Sequence, residues 1–143
     1  MQKGVDYIGN GVVFFCHDGK GNFLLSKRSK NCRDEQGTWD PGGGGIELGD
    51  NVIDTLKKEI KEEYLADVLD FEFLGYRDVH RTNAGKKTHW IVLDFKVLVD
   101  KKTAGNGEPH KFDAVEWFTE DTMPKPLHSQ LPKFLQDYKN KLF

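Results

Sequence analysis

Apolar positions fall into two periods along the chain. From Tyr7 to Phe15 the residues are dense in Val, Ile and aromatic side chains, and Asp18-Gly19-Lys20-Gly21-Asn22 supplies turn chemistry before Phe23-Leu24-Leu25, a hairpin pattern. Between Val52 and Leu65, Leu56 and Ile60 stand at helical spacing, so this segment is expected to be an amphipathic helix with Asn51 as N-cap and Asp54 in its first turn. Phe71–Tyr76 and Thr88–Val99 are expected strands, with Asp78–Lys87 a hairpin loop between them. After a polar loop from Asp100 to His110, Ala114–Phe118 is another strand pattern. Leu127, Leu131, Phe134, Leu135 and Tyr138 then predict one C-terminal helix with Pro132 in an early turn. Strands around one central helix and a terminal helix make the expected class α/β or α+β.

The central helix carries more acid than solubility requires. Glu59, Glu62 and Glu63 stand at i, i+3 and i+4, which places three carboxylates on one face within about a turn. Lys58 and Glu62 can pair at i, i+4, so a solvated helix face is the plainer reading of this segment alone. Like charges so placed repel, however, and a hard divalent cation is the simplest counter-charge; oxygen ligands suit Mg²⁺ or Mn²⁺. The glycines before the helix, Gly42 to Gly45, let backbone approach closely and expose amides and carbonyls.

The offset between glycines and acids resembles the box of the Nudix (MutT-like) hydrolase family: Gly, any five, Glu, any seven, Arg-Glu-aliphatic, any one, Glu-Glu, any one, Gly, aliphatic. Gly44, Glu59, Ile60, Glu62 and Glu63 match that pattern outright. Asp50 and Lys58 keep the charge of the family's Glu and Arg, Ala66 is weakly aliphatic, and Leu65 stands where the family has Gly. Lysine lacks the planar fork of arginine, so a bidentate pairing with a box carboxylate is weakened. A left-handed helix stop is costly for Leu, so the helix is expected to run on to Ala66 or Asp67. Trp39-Asp40, Ile46-Glu47, Glu116-Trp117-Phe118 and Met123-Pro124 extend the resemblance over most of the chain.

Residues 1–143 are expected to form one Nudix domain, a mixed sheet sandwiched between helices, with the strand order implied by the resemblance. A formal charge of −2 gives no basic footprint for a nucleic-acid polymer. No stretch has the length and apolarity of a membrane span, and the opening residues lack an apolar signal core, so a cytoplasmic location is expected. Cys16 is expected in the core and Cys32 to be incidental; two cysteines make neither a metal knuckle nor a disulfide framework.

The resemblance implies hydrolysis of a nucleoside diphosphate linked to a moiety X. The expected substrate is a nucleoside triphosphate or other small nucleotide, with ADP-ribose next. It also implies a cation held by Glu59, Glu62, Glu63 and a carbonyl of Gly43 or Gly44. For the general base it offers a box glutamate or an acid on a distant loop, and Glu108 is best placed for the second, with His110 a neighbouring competitor. Arg28, in Lys27-Arg28-Ser29-Lys30, is a candidate phosphate contact. Trp90 is a candidate to stack on a base, against the ordinary use of strand aromatics as core. His80, Arg81 and His89 sit near the ends of the expected Asp78–Lys87 loop, where histidines are more often solvated than functional. A non-hydrolytic nucleotide- or partner-binding module is the alternative that Asp50, Lys58 and Leu65 suggest, and the oligomeric state is open, a homodimer included.

Overall fold

The alternating apolar pattern of the first strand serves two cores at once. In a computed structural model describing residues 1–143, β1 (Gly9–His17) directs Val12, Phe14 and Cys16 to one side and Phe15 to the other, because successive side chains on a strand point to opposite faces. β2 (Phe23–Arg28) repeats the division with Leu24 against Phe23 and Leu25. Helix α1 (Val52–Tyr64) closes the first core with Leu56, Ile60 and Tyr64, all fully buried. Burying Leu56 and Ile60 contributes about 1.5–3 kcal/mol each. Helices α2 (Leu131–Asp137) and α3 (Lys139–Leu142) close the second core through Leu131, Phe134 and Leu142.

The remaining strands are β3 (Trp39–Asp40), β4 (Gly43–Gly45), β5 (Val68–Asn83), β6 (Lys86–Val99) and β7 (Phe112–Phe118), with a short 3₁₀ turn at Glu120–Thr122. The sheet order is β3-β2-β1-β6-β5, with β4 paired to β1 and β7 to β2. β1 and β6 run parallel and the other pairs antiparallel, so the sheet is mixed, and helices lie on both faces. This is the expected α+β sandwich. No helix is long and apolar enough to cross a membrane.

Three boundaries differ from the sequence expectation. The central helix ends at Tyr64, and Leu65 itself takes the left-handed cap, φ 58°, ψ 8°, its N–H donating to the Lys61 carbonyl. The reason lies outside the helix: Gly105 N–H and Gly107 N–H donate to the Tyr64 and Glu63 carbonyls at 2.8 and 2.9 Å. The docked loop takes up the free carbonyls of the last turn, which offsets the strain that disfavours Leu there.

Residues 78–87, expected to be a loop, are almost wholly strand. β5 and β6 pair in register from His80 opposite His89 to Asn83 opposite Lys86, and only Ala84-Gly85 turns, both at positive φ. Two positive-φ residues are what a tight two-residue hairpin requires. The expected single C-terminal helix is divided at Tyr138, and Leu127 lies before it, bridged to Trp39. Pro132 sits in the first turn of α2, as expected.

Candidate active site

The glycine loop and α1 meet because the loop lacks the side chain that would displace Glu59. β4 pairs with β1 through Gly45, Gly44 and Gly43, and a side chain at Gly44 would place its Cβ 2.5 Å from Glu59 Cγ and Oε2. The Glu59 carboxylate therefore rests against the loop backbone. Tyr64, one residue beyond Glu63, donates to the Pro41 carbonyl at 2.6 Å and fixes the turn entering that loop. Asp40 steadies it further by accepting the Gly42 N–H at 2.8 Å.

Glu63 is the most constrained acid of the site. Only 5% exposed, it has an oxygen, Oε2, that is buried with no hydrogen-bond partner. Burial first, then the charges of Asp40 and Glu59, hold its carboxyl well above the usual carboxylate range. Glu59, half-buried, is pushed up by burial and then by Glu62. Glu62 is exposed on the same side of α1, and Lys58 forms no ion pair with it or with any other box acid.

Glu108 is brought to this cluster by the loop that caps α1. A Cβ at Gly107 would overlap the Glu62 carbonyl, so the backbone passes in direct contact with the helix end. The Glu108 charge acts on both Glu59 and Glu63. Its backbone N–H donates to Asn106 Oδ1, and its carboxylate faces Lys111 Nζ at 3.7 Å. Glu59, Glu62, Glu63 and Glu108 are thus neighbours, although no three of their ligating oxygens lie within 4.8 Å of one another.

An orphaned buried carboxylate oxygen among mutually repelling acids fits a hard cation, because a buried unpaired carboxylate is otherwise destabilising. The Gly43 and Gly44 backbone lies beside these acids, with Gly44 against Glu59 itself.

Beside Glu63 a cavity of about 500 Å³ opens, lined by Gly43, Arg28, Arg33, Arg77, Arg81, Lys111 and His128 among others, with Val13, Val79, Val92 and Phe134 as apolar wall. Arg28 lies on this wall, paired with Asp34 at 3.0 Å and Asp40 at 3.5 Å. Arg81 pairs with Asp34 at 2.7 Å and with Glu35, which His128 also meets at 2.9 Å. Behind them Arg77 makes a two-pronged pair with Asp94, at 2.7 and 2.9 Å, and Tyr138 donates to the same carboxylate at 2.7 Å.

Trp90 does not line this cavity. Its indole fills the space that side chains at Gly4 and Gly9 would need. Taken one by one, Asp40, Arg77, Lys111 and His128 carry no mark in the sequence that singles them out for a site, and Arg81 falls near the end of the expected loop. The signal available was the alternation Arg77, Val79, Arg81, which puts two guanidinium groups on one face once the segment is recognised as strand. Cys32 also lies on the cavity wall, while Cys16 is fully buried in the core.

Known proteins share this fold. The family model described as NUDIX domain matches residues 8–138. Among solved structures, the chain is similar to a MutT NUDIX hydrolase from Burkholderia pseudomallei at 23% identity and TM-score 0.80, covering 92% of this chain and 98% of that one. It is also similar to the NUDIX domain of Shewanella oneidensis NrtR, complexed with ADP ribose, at 17% identity and TM-score 0.73, covering 100% and 91%. A NUDIX hydrolase from Nitrosomonas europaea matches at 18% identity and TM-score 0.71, covering 94% and 90%.

Proposed function

The chain belongs to the NUDIX domain family, a family of pyrophosphohydrolases, and from that premise we propose that it hydrolyses a nucleoside diphosphate linked to a moiety X, by attack of water on phosphorus. The products are a nucleoside monophosphate and X-phosphate, or pyrophosphate from a triphosphate. The observation that carries this reading is Glu63, a buried acid with an unsatisfied oxygen, next to other carboxylates and opening on an arginine-rich cavity.

In this reading Glu59, Glu62, Glu63 and a carbonyl of Gly43 or Gly44 would hold Mg²⁺, or Mn²⁺ in its place. Such an ion would supply charge neutralisation at phosphate oxygens and a lowered pKa for water. Glu108, on the capping loop, accepts the proton of the attacking water. Arg28, Arg33, Arg81 and Lys111 receive phosphate oxygens, for which guanidinium forks are suited. The apolar wall takes the less polar part of the nucleotide, and the cavity volume lies in the range for small-molecule sites, roughly 300–1,000 Å³.

A nucleoside triphosphate or similar small nucleotide is the proposed substrate, with ADP-ribose next; the Shewanella oneidensis domain bound to ADP ribose supports the second. The lack of an ion pair between Lys58 and any box acid favours one alternative, a non-hydrolytic binding module. A panel of nucleoside triphosphates, sugar nucleotides and dinucleotide polyphosphates with Mg²⁺, scored for released phosphomonoester, tests the proposal. Turnover of one panel member that stops in chelator is the expected result. Binding without turnover on every member would establish the module instead.

A further inference from the structure

On the opposite face of the β5–β6 hairpin from the cavity wall, Asp78, His80 and His89 converge. We propose that these three side chains form a binding site for a transition-metal ion of the zinc type, separate from the carboxylate cluster on α1. The hairpin register creates the arrangement. His80 and His89 are directly opposed, and Asp78 lies two residues before His80 on the same strand, hence on the same face. Arg77, Val79 and Arg81 alternate with them and line the cavity on the other side.

The side chains are already close. One ligating atom from each lies within 4.8 Å of the other two, and His89 Nε2 is 2.8 Å from Asp78 Oδ1. The two imidazole rings are 4.2 Å apart between centroids and inclined by 30°. Tetrahedral zinc with bonds near 2.0–2.1 Å sets its ligands about 3.3 Å apart, so small side-chain rotations close the set. Two imidazoles and one carboxylate select zinc, copper or nickel over magnesium, the reverse of an all-oxygen site.

A cavity of about 290 Å³, lined by Gly4–Ile8 together with His80, Lys87, Thr88 and His89, leaves room for water at a fourth position. The His89 backbone N–H donates to the Gly4 carbonyl at 2.8 Å. An ion held here therefore braces the hairpin close to the point where the N-terminal segment is already fastened to it.

Equilibrium dialysis of the untagged chain against ZnCl₂ in millimolar Mg²⁺ tests the site. The expected result is one zinc per chain, not displaced by Mg²⁺. His80→Gln and Asp78→Asn should each weaken binding about 10-fold or more, and Glu62→Gln should leave it unchanged. Should His80→Gln lose its fold, Asp78→Asn answers the same question with an isosteric change at an exposed carboxylate. Zinc retained at full affinity by Asp78→Asn, zinc lost in Glu62→Gln or to Mg²⁺ competition, or half an equivalent bound with dimerisation, would each overturn the intrachain site.

Discussion

Gly44 and Glu59 occupy one space: the carboxylate packs where a side chain on the loop would have to stand, 2.5 Å from the position of its Cβ. Gly44→Ala should therefore turn the flexible Glu59 side chain aside with little effect on the fold. Activity is expected to fall about 100-fold or more, the scale on which small misplacements act in catalysis, with a melting temperature within a few degrees of the parent. Gly43→Ala should differ, because its Cβ would meet the Val12 carbonyl at 2.5 Å, which is backbone. Thermal denaturation and steady-state kinetics on both variants make the comparison; a Gly44→Ala enzyme of normal kcat would separate Glu59 from the chemistry.

Glu108 reaches the acid cluster only because the Gly105–Gly107 backbone is docked on the end of α1. In its proposed role as general base it should be dispensable for binding, so Glu108→Gln is expected to lower kcat by about 10² or more with KM little changed. A kcat near that of the parent would move the role to Glu63 or Glu62.

Metal binding at the box is separable from catalysis by melting experiments on Glu62→Gln. Without metal the variant should be as stable as the parent or slightly more so, since one member of a repelling set has been neutralised. At Mg²⁺ a hundredfold above its dissociation constant the parent gains about 2.7 kcal/mol, or roughly 5–10 °C, and the variant much less. Equal shifts in both proteins would remove Glu62 from the ligand set.

The raised pKa of Glu63 has a stability consequence of definite sign. Its carboxyl binds a proton more tightly in the folded than in the unfolded chain, so its contribution to metal-free stability is fully present below the ordinary carboxylate range. That contribution is lost as pH rises from there through the raised folded value. In chelator, Glu63→Gln should therefore melt higher than the parent at neutral pH, with the difference shrinking as pH falls towards about 4. A difference that stays constant with pH would show that Glu63 is not held protonated by the fold.

Asp94 is fully buried, with Arg77 and Tyr138 as its partners. Removing the carboxylate strands a buried guanidinium, so Asp94→Ala should cost about 3–5 kcal/mol. Tyr138→Phe removes one hydrogen bond to a charged group and should cost about 1.5–3 kcal/mol. Chemical denaturation of the two variants checks the order, and an Asp94→Ala variant as stable as Tyr138→Phe would contradict it.

Spacing along the chain was enough to place Glu59, Glu62 and Glu63 on one helix face, to set Gly43 and Gly44 before it, and to pair the first two strands around the Asp18–Asn22 turn. These are properties of local period, and local period is set by backbone geometry that every helix and strand shares. The ends of elements were another matter. Leu65 adopts a left-handed cap because Gly105 and Gly107, some forty residues later, satisfy the carbonyls of the last turn. Residues 78–83 are strand although their polarity resembles a loop, because one face lines a polar cavity and the other meets solvent, leaving little apolar alternation to read.

The same distinction runs through the site. The carboxylates of α1 were legible as a cluster because Glu59, Glu62 and Glu63 lie within five residues of one another. Arg28, Arg77, Arg81, Lys111 and His128 share one cavity only after β2, β5, the β7 approach and the segment before α2 have been folded together. Trp90 shows the converse: an aromatic residue on a strand carries no mark of whether it will face a ligand or a glycine. Here the empty space over Gly4 and Gly9, which only the packed chain defines, settled where the indole lies. Sequence determined the local chemistry of this protein, while the meeting of distant segments determined which charges were left unpaired, because burial and Coulomb interactions depend on distance in space rather than along the chain.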